Sequence, residues 1–149
     1  MRFAISNPAT LRAGSISWQL TQTFWVGGLW LLHFAVLPAL PKAGLAPLLV
    51  AEVAALLSPL LVGFTACCAL LQGVVLIQVE GVGSLWRDMR GQLLLTVQLL
   101  AASYLGVHYW LPEALRWLSF SYLLLALCGL LLVLQPVPGM GGRASEARH

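Results

Sequence analysis

Hydrophobic residues run along this chain in long unbroken stretches, separated by short clusters of proline, glycine and charge. In hydrocarbon every backbone polar group must find its partner within the protein, so a span is a helix or a strand of a closed barrel. Barrel strands alternate apolar and polar residues over about ten positions. These runs are continuous and reach the roughly 20 residues that a helix needs to cross a bilayer. The pattern predicts an all-α protein, an integral membrane four-helix bundle with spans near residues 17–37, 58–79, 91–111 and 117–134.

Punctuation sets the expected boundaries. Pro38 and Pro41 are expected to end the first span, because proline lacks the N–H that a helix interior requires. Pro47 suits the first turn of a new helix. The apolar stretch at residues 47–79 is too long for one simple span, being on the order of 50 Å as a helix. An outer helical segment is therefore expected at residues 47–57, with the second helix long and kinked or broken near Pro59. Pro112 ends the third span, and Pro136 with Pro138 the fourth. Residues 1–16 read as a cytoplasmic amino-terminal segment, 17–135 as the transmembrane domain and 136–149 as a disordered cytoplasmic tail. The first apolar run exceeds the core of about 7–15 residues typical of a cleaved signal, and no A-x-A site closes it, so it reads as a retained helix.

Composition agrees with a lipid solvent. Of 149 residues, 60% are hydrophobic and 9% charged, too few polar groups to cover a water-facing surface. Placing both termini and the middle loop on one side gives that side six basic residues (Arg2, Arg12, Arg87, Arg90, Arg143 and Arg148), against Lys42 and Arg116 on the other. The excess of basic residues puts the amino and carboxyl termini in the cytoplasm. Trp18 and Trp86 would mark the inner interface, Trp110 and Trp117 the outer one. No basic patch interleaves with aromatics, so nucleic acid is not an expected partner. Cys67, Cys68 and Cys128 lack zinc or thioredoxin spacing and read as reduced, packed thiols.

Helical faces locate candidate chemistry. Gln19, Gln22, Thr23, Val26, Trp30 and His33 share one stripe of the first span, and polar groups at membrane depth prefer the bundle interior. In the third span Gln92, Thr96, Ser103 and Gly106 share a face, while Ala101, Tyr104 and His108 share another; one of the two meets lipid. Ala69 with Gly73, and Ala102 with Gly106, are small pairs that let helices approach. Gln22, Gln72, Thr96, Gln98 and Ser103 form either packing contacts or a polar interior. Glu52, Glu113 and Arg116 fall together on the outer side and read as a structural ion-pair cluster.

His33 and His108 each precede an aromatic residue and a Leu-Pro step, in His33-Phe34-Ala35-Val36-Leu37-Pro38 and His108-Tyr109-Trp110-Leu111-Pro112. Two hairpins related by a parallel repeat would place them at similar depth. Two neutral imidazoles facing each other could hold haem iron or copper, with Glu52 orienting a ring. Alternatively His108, beside Tyr109 and Trp110, belongs to an interfacial belt.

The segment TFWVGGLWLLHFAVLPAL at residues 23–40 resembles the first helix of the transmembrane-protein-205-like family, a bacterial domain of unknown function, through Trp25, Gly27, Gly28, Pro38, Ala39 and Leu40. The resemblance extends towards Leu134 and implies a four-helix membrane protein with no established reaction. A looser likeness joins His33 to copper-resistance D and membrane protoporphyrinogen-oxidase proteins, some of which bind copper or haem; its offset from the glycines differs from theirs.

Three functional readings follow. The leading one is a non-enzymatic structural or accessory protein of the bacterial inner membrane, without a cofactor, whose partners are membrane lipids and a second copy or another membrane protein. The second is a haem- or copper-binding protein using His33 and His108. The third is a small transporter or channel subunit with the polar interior named above.

Overall fold

The computed structural model describes residues 8–136, with side chains from residue 13 onward. The chain is helical along every apolar run. The elements are α1 (Pro8–Leu31), a π-helical turn (Leu32–Val36), α2 (Leu37–Lys42), α3 (Pro47–Glu80), α4 (Ser84–Arg87), α5 (Met89–Trp110) and α6 (Leu115–Val133). Counting α1 to α2 as one rod, four helices are long and apolar enough to cross a bilayer. The first seven residues and the expected disordered tail beyond residue 136 lie outside the described residues.

Helix α1 already includes residues 8–16, ahead of the expected first span. One boundary differs from expectation. Pro38 and Pro41 do not stop the first helix, which continues to Lys42. The π turn changes the ladder there: the Leu37 N–H bonds to the Leu32 carbonyl, one residue further back than in an α-helix. Pro38 then enters the first turn of α2, where proline is tolerated. Residues 47–57 are helical, as expected, and continuous with the second span. One helix runs from Pro47 through Pro59 to Glu80, and Gly81, at φ +86°, ends it in a conformation that favours glycine.

The four rods pack in chain order around a ring: α1 lies against α3 and α6, and α5 lies against the same two. Neighbours run antiparallel, as the pairing of numbers shows. On α1 and α6, Trp25 meets Gly129, Trp30 reaches Ala126 and His33 lies beside Tyr122. On α1 and α3, Gln72 bonds Trp18, and Phe24 packs edge-on to Phe64. One end of the bundle thus carries the start of α1, the end of α6 and the α3–α5 connection. The other carries the two short hairpins near residues 43–46 and 111–114.

The interior is filled by Trp25, Leu29, Val62, Leu76, Val97, Leu125 and Leu132. Trp25 is its centre, fully buried with its ring on Gly129, where an added Cβ would lie 2.8 Å from the indole. Gly91 does the same for a backbone: a Cβ there would fall 2.4 Å from Leu85 Cα, so glycine lets α4 fold onto the start of α5. The outer surface is equally apolar, with Leu20, Phe24, Leu48, Leu60, Leu99 and Trp110 all exposed. Such exposure over a whole surface is foreign to a protein dissolved in water. Four long apolar helices with this surface describe a multi-pass membrane protein.

Candidate functional site

Near the hairpin end, four ring-bearing side chains form a row across the bundle. His33, on the π turn, lies 5.6 Å from the Tyr122 ring of α6. Tyr122 lies 6.4 Å from Tyr104 of α5, and Tyr104 stacks within 8° of parallel on His108 at 6.2 Å. Both tyrosines are buried, and both histidines are half-buried at the ends of the row. The Tyr122 hydroxyl donates to the Leu29 carbonyl at 2.9 Å, while the Tyr104 hydroxyl has the Ser58 hydroxyl as its polar neighbour. Each tyrosine thus has the polar partner that a buried phenol requires.

The local reason for this placement is the π turn. π turns occur as single-turn bulges and concentrate at functional sites. Here the turn rotates the chain after Leu31, so that Leu32 is buried and His33 half-buried beside Tyr122. Pro38 has no N–H, so it can bond neither the His33 nor the Phe34 carbonyl. Phe34 stacks on Trp30 at 4.8 Å, and the Trp30 Nε1 donates to the Ala126 carbonyl at 3.1 Å, pinning the turn against α6.

His33 and His108 are therefore brought into one row, each against a tyrosine rather than against the other. The repeat that suggested them folds in two ways: the first copy continues helically through its proline, whereas the second ends at Trp110 before Pro112. On α5, the Ala101–Tyr104–His108 face looks inward, with Ala101 and Tyr104 buried. The Gln92–Thr96–Gly106 face is exposed, with Ser103 half-buried. Thr96 stays outside because its hydroxyl donates to the Gln92 carbonyl of its own helix.

The carboxamides separate by role. Gln72 is buried, accepts from the Trp25 Nε1 at 3.3 Å and donates to the Trp18 carbonyl at 3.4 Å, tying α3 to α1. Gln98 donates to the Ala66 carbonyl at 2.8 Å, tying α5 to α3. Gln22 is buried elsewhere, towards the end of the bundle where α1 begins. Glu52, Glu113 and Arg116 are all exposed, and among the described residues no ion pair joins them; water and headgroups solvate such charges without a partner. The ion pair that forms is Arg90 with Glu80, at 3.7 Å, closing the α3–α5 connection. Among the described residues no three His, Cys, Asp or Glu side chains converge as a metal set.

Comparison with known proteins returns no match to any family model, curated protein or solved structure. The row's chemistry thus stands on its geometry. Sequence reading named its two histidines and missed Tyr122 and Ser58. The available signal for Tyr122 was a phenol among leucines in the fourth span, where a polar handle at membrane depth needs a partner.

Proposed function

We propose that this chain is a sealed, non-enzymatic bundle of the bacterial inner membrane, structural or accessory in role, with both termini in the cytoplasm. The observation that carries the reading is the use of the interior carboxamides. Gln72 and Gln98 spend their hydrogen bonds between helices, and the bundle core is packed by Trp25, Val97 and Leu76. A conducting path needs such groups turned towards water. The side facing the cytoplasm follows from the basic residues, and the even number of long helices supports ends on a common side. Residence in a bacterial inner membrane rests on the resemblance of residues 23–40, which also makes membership of that four-helix family part of the proposal. A second copy or another membrane protein would meet the apolar outer surface.

Two measurements test this. Tags at each end should be inaccessible to reagents outside intact cells, and labelling of either end from outside refutes the orientation. Proteoliposomes should be no leakier than protein-free vesicles; a flux that changes with Gln98→Leu establishes the transport reading instead.

A second reading is favoured by one observation, the π turn that sets His33 beside Tyr122. A haem iron or copper ion would take His33 as its ligand there and gain a phenol as neighbour. The order of the row speaks against one ion shared by His33 and His108, because the tyrosines are the neighbours of both. Gentle purification from a haem-replete host decides it: a Soret band or bound copper lost in His33→Ala supports the reading, and a colourless, metal-free sample removes it.

A further inference from the structure

Where α1 enters the apolar part of the chain and α6 ends, the bundle holds a polar cavity of about 220 Å³ lined by Gln19, Gln22, Thr23, Val133 and Gln135. Gln22 is 5% exposed, and among the described residues its Nε2 meets no acceptor. A buried N–H without a partner carries the full cost of its lost hydration, more than one hydrogen bond returns. The last torsion of a glutamine is soft, so this carboxamide can turn its N–H groups towards whatever fills the cavity. The cavity therefore calls for an oxygen acceptor.

The character of the acceptor follows from the walls. The lining residues are three carboxamides, one hydroxyl and one valine, with no charge among them. Among the described residues a phosphate or carboxylate would find no counter-charge in this lining, and burying an unpaired charge is far costlier than burying a carbonyl. Gln19, Thr23 and Val133 are exposed, so the cavity opens on the bundle's outer surface between α1 and α6. Trp18 is buried in the core, but the Gln135 wall meets the Met89 sulfur at 3.6 Å, three residues from the exposed Trp86 at the same end of the bundle. Tryptophan belts mark the level where hydrocarbon gives way to headgroups. In a glycerolipid, the groups at that level are the ester carbonyls.

We propose that this cavity binds the ester-carbonyl and glycerol region of a membrane lipid. Gln22 donates to a carbonyl oxygen, and Gln19, Thr23 and Gln135 supply the remaining neutral hydrogen bonds. The inference rests on the membrane reading, and its test separates the two.

The experiment is native mass spectrometry of the full-length protein released from detergent, with diester phosphatidylcholine or its diether analogue added. The two lipids share headgroup and chains and differ in the carbonyls. The wild type should retain the diester about fivefold over the diether, the factor for one neutral hydrogen bond. Gln22→Leu should abolish that preference. Gln135→Leu, at the more exposed wall, should weaken it and serves where Gln22→Leu fails to fold. Equal retention of both lipids by the wild type overturns the site, as does an unchanged preference in the folded variants. The membrane reading fails separately, if the protein stays monodisperse without detergent.

Discussion

The Tyr122 hydroxyl donates to the Leu29 carbonyl at 2.9 Å, reaching from α6 to the turn of α1 that precedes the π-helical segment carrying His33. In a regular helix that carbonyl serves the His33 N–H. A side-chain donor from outside shares the acceptor where the ladder changes register, a recognised cause of local helix distortion.

Removing this hydroxyl should loosen the turn while leaving the ring row in place. Tyr122→Phe is expected to lower stability by roughly 0.6–1.7 kcal/mol, the range for interhelical hydrogen bonds in bilayers. Unfolding in mixed micelles measures the loss, and the His33 ring resonances should shift in the same variant. Loss of stability with His33 unmoved would mean that the bond holds α6 to α1 without shaping the π turn.

The glycines should divide by what an added methyl meets. At Gly91 it meets Leu85 backbone at 2.4 Å, and at Gly129 the Trp25 ring at 2.8 Å; at Gly73 nothing lies within 4 Å. Overpacking of this kind costs about 1–3 kcal/mol. Gly91→Ala should be the most damaging, since backbone yields less readily than a side chain. Gly129→Ala should follow, with a shift in tryptophan emission, and Gly73→Ala should be neutral or slightly stabilising. Equal stability of all three would show that α4 and Trp25 move freely.

Gln72 and Gln98 offer a contrast between two kinds of tie. Gln72→Leu strands the buried Trp25 Nε1 and should cost about 1–3 kcal/mol, the penalty for an unsatisfied buried donor. Gln98→Leu releases only the Ala66 carbonyl, which keeps its helical N–H partner, and should cost about 0.6 kcal/mol. Unfolding midpoints of both variants in the same detergent rank them. The reverse order would place the structural centre at the α3–α5 contact.

The four spans were legible because their apolar length and proline punctuation leave few alternatives. The inward stripe of α1 was legible in part: Gln22 and Val26 are buried and Trp30 half-buried as expected, but Gln19 and Thr23 are exposed. On α5 polarity misled, because Thr96 satisfies its hydroxyl within its own helix and has no need of the interior. Lipid and protein interior are about equally apolar, so hydrophobic pattern cannot say which face of such a helix meets its neighbours. Small pairs were a partial guide: Ala69 is buried in the core, but Ala102 and Gly106 are exposed, and the closest approaches fall at Gly91 and Gly129. The π turn has no signature in composition. Its trace is Pro38, which reads as a stop until the register of the preceding turn is known.

The length of α3 has a consequence for the surrounding bilayer. Its 34 residues span about 51 Å, against a hydrocarbon thickness of about 30 Å. Leaning alone would absorb that difference only at about 54°, beyond the usual range of roughly 0–40°. The Arg90–Glu80 pair anchors one end at the polar boundary, so the overhang falls at the Pro47 end, where Leu48, Leu49 and Leu56 are exposed. The same overhang carries the exposed Glu52, so a bilayer fitted to the Arg90–Glu80 end meets a ledge of mixed apolar and charged side chains at the other.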